Sequence, residues 1–237
     1  LIQAYYEVNP SNNLNPDIFA LKGVNALGTA FFVPFQNYLN NSYTQSTSSF
    51  DIVATEDNTI IQITPKKPIQ GHAPNITFSI VLNEGQTWSG RASSTLASQH
   101  PFGTIVTSNK PIAITMSDDS VAGTPYGGCA DIMGDQIVPV SIVGTEYIAV
   151  KGNLNGPDKV FFIPTEPNTT ISLNGNVVST LTTLSSIYTH TLSADAAYYE
   201  ASAPVYALHM TGFGCEIGGA LLPSIICTGS QEVAFVR

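Results

Sequence analysis

Charge is scarce in this chain. Only 11% of its 237 residues are Asp, Glu, Lys or Arg, against roughly a quarter in a typical soluble domain, so Ser, Thr, Asn and Gln must finish the surface. Cations are scarcer still. Six Lys and two Arg, scattered along the sequence, stand against 17 acidic residues and give a formal charge of −9. Phosphate recognition depends on clustered cations that release counterions, which excludes a nucleic-acid partner. No run of about twenty apolar residues occurs. The most apolar region, 203–227, is interrupted by Pro204, Gly212, Gly214, Glu216, Gly218, Gly219 and Pro223, so no direct membrane span is expected. Leu1 to Tyr6 lack a basic head and a cleavable apolar run, so an export signal or anchor is expected outside this sequence.

Catalytic motifs are missing as well. There is no Gly-x-Ser-x-Gly elbow, no His-Glu-x-x-His and no phosphate-cradling Gly-x-x-x-x-Gly-Lys. The four histidines are far apart: His72, His100 and His190 are expected on the surface or in turns, and His209, in an apolar strand, as a hydrogen-bonded interior residue. Paired carboxylates roughly 5 to 10 Å apart perform glycoside hydrolysis, and Asp118/Asp119 and Asp131/Asp135 are the only local pairs. The reading is that the chain is not an enzyme.

What the sequence has is strands. Phe31–Val33, Phe50–Ala54, Thr59–Ile63, Thr77–Val81, Pro111–Met116, Tyr147–Val150, Val160–Ile163 and Thr170–Leu173 are short β-branched or aromatic runs, several alternating with period two. Helical periodicity is absent. Glu56-Asp57-Asn58, Asn83-Glu84-Gly85, Ser108-Asn109-Lys110-Pro111 and Asn174-Gly175 carry the chemistry of chain reversals. The fold class is all-β, and the length is enough to bury a stable core.

The chain also repeats itself. Thr55-Glu56-Asp57-Asn58-Thr59 recurs as Thr165-Glu166-Pro167-Asn168-Thr169, and Pro111–Met116 has a counterpart in Pro204–Met210. Each counterpart leads into a Gly-rich segment with a cysteine, Cys129 and then Cys215. Gly144–Val150 resembles Gly229–Val236, and Gly28–Val33 looks like a third copy of that strand. Two tandem, packed β-sandwich-like units follow, related by internal duplication: residues 1–143, with an N-terminal extension at 1–27, and residues 144–237. A single large β structure with internal pseudo-symmetry is the alternative.

Five motifs in series resemble the IgGFc-binding protein N-terminal domain family: Gly28-Thr29-Ala30-Phe31-Phe32-Val33-Pro34, the hairpin Phe50–Thr59, Leu82–Thr87, Ser108–Ala113 and Gly144–Ile148. The resemblance runs from about Gly28 to Arg237. The ending Gly212–Gly219 with Leu222-Pro223 and Cys227–Ser230 looks like the branch found in large bacterial surface proteins. It implies a β-rich extracellular module and carries no catalytic residue set.

Three cysteines offer one bridge. Cys215 to Cys227 closes a small loop and is the expected pair, worth about 3 kcal/mol in the loop-entropy model; Cys129 to Cys215 is the runner-up and would join the units. Zinc spacing is absent. Asp118, Asp119, Asp131 and Asp135 are candidate calcium ligands, since calcium takes six to eight oxygens. The competing reading is a set of structural hydrogen bonds.

Trp88, after the turn at Asn83-Glu84-Gly85, is a candidate ligand platform, because sugar sites combine aromatic faces with polar side chains. Asp119-Ser120-Val121 resembles a short O-glycosylation signal at Ser120, and Asn40, Asn75 and Asn168 head Asn-x-Ser/Thr sequons. The functional expectation is a non-catalytic extracellular adhesion or structural module of a larger secreted or cell-surface protein, with no cofactor unless calcium. It would take a protein or glycan ligand, or neighbouring copies through exposed strand edges. A carbohydrate-binding module is the alternative, and a glycan-active hydrolase stands behind it.

Overall fold

A computed structural model describes residues 4–8 and 17–226. Among these residues lie eighteen strands and three short 3-10 turns, and no α-helix. A hairpin of β1 (Ala4–Val8) and β2 (Asp17–Leu21) comes first. A seven-stranded sheet follows, made of β3 (Gly28–Val33), β4 (Ser48–Ala54), β5 (Thr59–Thr64), β6 (Phe78–Leu82), β7 (Thr87–Arg91), β8 (Thr104–Gly123) and β9 (Gly127–Gln136). Eight of the next nine strands form two larger rows, with the two-residue β11 (Asn153–Leu154) added beside one of them. They are β10 (Glu146–Val150), β12 (Asp158–Pro164), β13 (Thr169–Leu173), β14 (Asn176–Leu181), β15 (Tyr188–Leu192), β16 (Ala196–Ala201), β17 (Val205–Gly214) and β18 (Glu216–Leu221).

Strand β8 holds the first block together. Its opening residues pair with β3 and β5, through Phe31↔Val106 and Ile63↔Val106, whereas Ile112 to Asp118 pair with β4 and the far end pairs with β9. The block is thus a sandwich with rows β3-β8-β5-β6 and β7-β4-β8-β9, and β8 belongs to both. Ser108-Asn109-Lys110-Pro111 is therefore not the reversal its composition predicts. Its turn chemistry fixes the crossing instead: Ser108 Oγ donates to the Lys110 carbonyl, and Asn109 Oδ1 accepts the N–H of Ile60 at 2.8 Å.

The second block repeats this pairing order. Its rows are β10-β16-β13-β14 and β15-β12-β17-β18, with a break between β16 and β17 where β8 runs on. Local bonds recur at matching places. Thr59 Oγ1 donates to the Glu56 carbonyl and Thr169 Oγ1 to the Glu166 carbonyl, both at 2.7 Å. Thr55 and Thr165 bond the carbonyls of Pro111 and Pro204. Asn58 and Asn168 sit at φ 55° and 61°, a left-handed conformation that Asn tolerates because its short side chain bonds locally. Among the described residues no strand pairing joins residues 28–136 to residues 146–221.

The core explains how the blocks meet. All seven residues of β12 are buried, as are Val205 to Met210 of β17, and the apolar runs Val160–Ile163 and Val205–Leu208 within them are those of a sheet covered on both faces. Val160, Phe162, Val205 and Ala207 pack with Tyr147, Ile171 and Tyr199 of their own block. Phe161, Ile163, Tyr206, Leu208 and Met210 point the other way and join Phe35, Leu39, Phe102 and Tyr126 in the core of the first block.

Candidate binding face

The junction is built strand against strand. In β9 the alternating residues Cys129, Asp131, Met133 and Asp135 meet Cys215, Ile217, Gly219 and Leu221, in and just before β18. Cys129 and Cys215 form a disulfide with Cα atoms 5.6 Å apart. Asp131 Oδ2 accepts the Ile217 N–H at 2.6 Å, and Asp135 Oδ2 accepts the Leu221 N–H at 2.8 Å. Gly219 lies between them because a Cβ there would stand 2.2 Å from Met133 Cγ. An edge strand leaves a row of backbone N–H groups unpaired, and two carboxylates of the first block satisfy this one. Lys22 Nζ bonds the outer oxygen of Asp135.

This geometry corrects the expected pairing of Cys215 with Cys227. Chain reversal after β17 brings Cys215 to β9, so it bridges the blocks; Cys227 lies outside the described residues. The candidate calcium ligands are not brought together either. Asp131 and Asp135 serve β18, while Asp118 is buried elsewhere, and Asp119 beside it bonds Ser120 Oγ. Among the described residues the one cluster with metal-ligand spacing is Cys129, Cys215 and Glu216, two of which are spent in the disulfide.

Asp118 sits in a polar core beneath the loop that follows β3. Its oxygens accept hydrogen bonds from Asn41 Nδ2, Ser48 Oγ and Gln36 Nε2, each at 2.8 Å, and lie 3.3 Å from His100 Nδ1. His100 Nε2 lies 3.1 Å from Asn41 Oδ1. Both residues are fully buried, which corrects the surface position expected for His100. Burial is the largest influence on each and opposes its charge. Their mutual attraction and hydrogen bonds overcome it, holding the Asp118 carboxyl below the usual carboxylate range and raising His100 above its ordinary value. His209 has a carboxylate partner too, with Nε2 at 3.0 Å from Asp158 Oδ2, but burial outweighs that attraction and lowers its pKa.

One further expectation is corrected. Ser120 is 3% exposed and its hydroxyl bonds Asp119 and Ser46, so no glycosyl carrier reaches it in the folded chain. Trp88 faces inward. Its ring packs on Phe50 at 5.9 Å and Phe78 at 5.6 Å between centroids, because the inward positions of β4 and β7 leave an apolar slot at the sheet edge.

The open surface is the other side of those strands. Outward residues of row β7-β4-β8-β9 line a groove of about 550 Å³: Thr87 and Ser89, Ser49, Asp51 and Val53, Thr115 and Ser117, with Ile132 and with Phe19 of β2 as a wall. Register sets them in straight lines. Asp51 lies opposite Ser89 on one side and Thr115 on the other, and Thr115 lies opposite Gln136. Beside that line run Arg91, Ser49 and Ser117. A second cavity, of about 480 Å³, opens between the blocks beside Val138, Ile142, Tyr147, Tyr206 and Leu222. Its phenols are already committed, Tyr206 Oη to the Val138 carbonyl and Tyr147 Oη to the Val205 carbonyl.

A family model described as IgGFc binding protein matches residues 17–232. The chain belongs to that family. No curated protein and no solved structure matches it significantly. Membership in the IgGFc binding protein family assigns the chain to extracellular binding modules, and the disulfide agrees, since such bridges persist in oxidising compartments. No helix among the described residues is long and apolar enough to cross a membrane. The groove was missed from sequence because the alternation in Ser49-Phe50-Asp51-Ile52-Val53 marks an outer face without marking it as a site.

Proposed function

We infer that the chain is a non-catalytic adhesion module of a larger secreted or cell-surface protein, built of two packed copies of one β unit, 1–143 and 144–237, and that it binds through the outer face of β7-β4-β8-β9. The observation that carries this reading is the contrast between matching faces of the two blocks. In the second block the face is apolar and covered by the first; in the first block the matching positions carry Ser49, Asp51, Thr115 and Ser117 and line a groove. A carboxylate and small hydroxyls on a flat sheet, among few charges, form a surface that docks without reacting.

The family's name supplies a first probe. Immobilised chain is exposed to immunoglobulin G Fc, intact and stripped of its glycan, and to a panel of extracellular glycoproteins, and each eluted ligand is weighed by mass spectrometry. The reading expects reversible capture of at least one ligand at unchanged mass. Products of altered mass that require Asp131 or Asp135 would replace it with the hydrolase.

A further inference from the structure

The two blocks can be compared row by row, because register aligns them through Ala54↔Ile112 in one and Pro164↔Val205 in the other. The line Ser89, Asp51, Thr115, Gln136 then corresponds to Thr189, Phe161, Leu208, Leu221. The neighbouring line Arg91, Ser49, Ser117 corresponds to Thr191, Lys159, Met210. In the second block, Phe161, Leu208, Leu221 and Met210 are buried in the shared core. The same surface is thus an interface in one block and a groove in the other, with its large apolar side chains replaced by hydroxyls, a carboxylate and an amide.

Gln136 Oε1 accepts the Lys22 N–H, but the other polar side chains of the groove are unspent. Ser49, Asp51, Thr87, Ser89, Thr115 and Ser117 make no side-chain hydrogen bond among the described residues. Elsewhere polar side chains are committed, as around Asp118. Protein-docking surfaces draw on aromatic residues, Met and Arg at their centre. Here the centre is Asp51 flanked by Ser89 and Thr115, the aromatic residues Phe19 and Trp88 lie in the lining, and Arg91 stands at the rim beyond Ser49. Hydroxyls that both donate and accept, beside a carboxylate that only accepts, match the hydroxyls of a sugar. The volume lies within the range of small-ligand sites.

We propose that this groove binds a neutral oligosaccharide, with Asp51 and Thr115 at the centre of the contact. No cation lines the groove, and the chain's charge of −9 disfavours anionic glycans. The proposal rests on the adhesion reading given above and names its ligand class.

The test is an array of immobilised neutral, sialylated and sulfated oligosaccharides, probed with labelled full chain. Binding to a subset of neutral glycans is expected, falling at least tenfold in Asp51→Ala and Thr115→Arg. Asp51 is exposed and Thr115 is half-buried in the groove, so melting temperatures should stay within a few degrees, and Ile148→Arg, on the outer sheet of the second block, should bind as the parent does. A blank array, preference for anionic glycans, or binding that survives Thr115→Arg overturns the proposal. If the array is blank but adhesion to protein-coated beads is lost in Thr115→Arg, the sugar is wrong and the adhesive face stands. If adhesion also ignores Thr115→Arg, the face falls too.

Discussion

Asp135 accepts the backbone N–H of Leu221 at 2.8 Å from 86 residues away in sequence, so a side chain of the first block does what a neighbouring strand would otherwise do for β18. Asp131 does the same for Ile217. Replacing Asp135 with Ala leaves a buried N–H unpaired and removes one of the two acceptors of Lys22 Nζ, the Gln136 carbonyl being the other. A loss of about 1–3 kcal/mol is expected, read as a lower urea midpoint. An unchanged midpoint would show that water replaces the carboxylate.

The Cys129–Cys215 bridge spans a sequence separation of 86. Loop-closure entropy assigns such a constraint about 4–5 kcal/mol. Cys129→Ser or mild reduction should lower the melting temperature markedly and raise protease cutting between the blocks, whereas Cys227→Ser should change neither. Peptide mapping under non-reducing conditions identifies the bridge; a Cys215–Cys227 peptide would contradict the account.

Gly219 is fixed by Met133. A Cβ added at 219 would meet Met133 Cγ at 2.2 Å, and overpacking of this kind costs about 1–3 kcal/mol. Gly219→Ala should be destabilised, and Met133→Ala in the same chain should recover part of the loss, a coupling that a double-mutant cycle measures.

The Asp118–His100 pair predicts a pH profile. Asp118 has a lowered folded pKa, so its contribution is complete above the unfolded value of about 3.8 and is lost as pH falls through the folded one. His100 has a raised folded pKa, so its contribution is complete below about 6.5 and is lost as pH rises through the folded value. The pair therefore contributes most between about pH 4 and 6.5. His209, lowered by burial, acts in the opposite sense and weakens the fold as pH falls below its unfolded value. The difference between parent and His100→Gln melting curves isolates the pair. That difference should be largest inside the window and shrink on both sides; a flat difference would mean that the pair is uncharged.

Much of the fold was legible in the sequence, because strands read from alternation and turns from Asn, Gly and Pro. The Thr-Glu-x-Asn-Thr repeat marked two places with the same hydrogen bonds and the same left-handed Asn. What remained hidden was set by long-range packing. Ser108–Pro111 has the composition of a reversal, yet β8 passes through it because both of its ends find partners in different rows. Cys215 pairs with distant Cys129 because β9 and β18 run side by side, which spacing cannot reveal. His100 and Asp118 read as separate polar residues, since the loop that seals them is assembled only by the fold. The groove required the comparison of two blocks, where Phe161 in one exposes the meaning of Asp51 in the other.

The central claim is that adhesion runs through the outer face of the first block, and its most direct test is bead adhesion to glycoprotein-coated surfaces by three chains: the parent, Thr115→Arg and Ile148→Arg. The account predicts at least a tenfold loss for Thr115→Arg and parental adhesion for Ile148→Arg, at matched melting temperatures. Full adhesion by Thr115→Arg, or loss confined to Ile148→Arg, would contradict it.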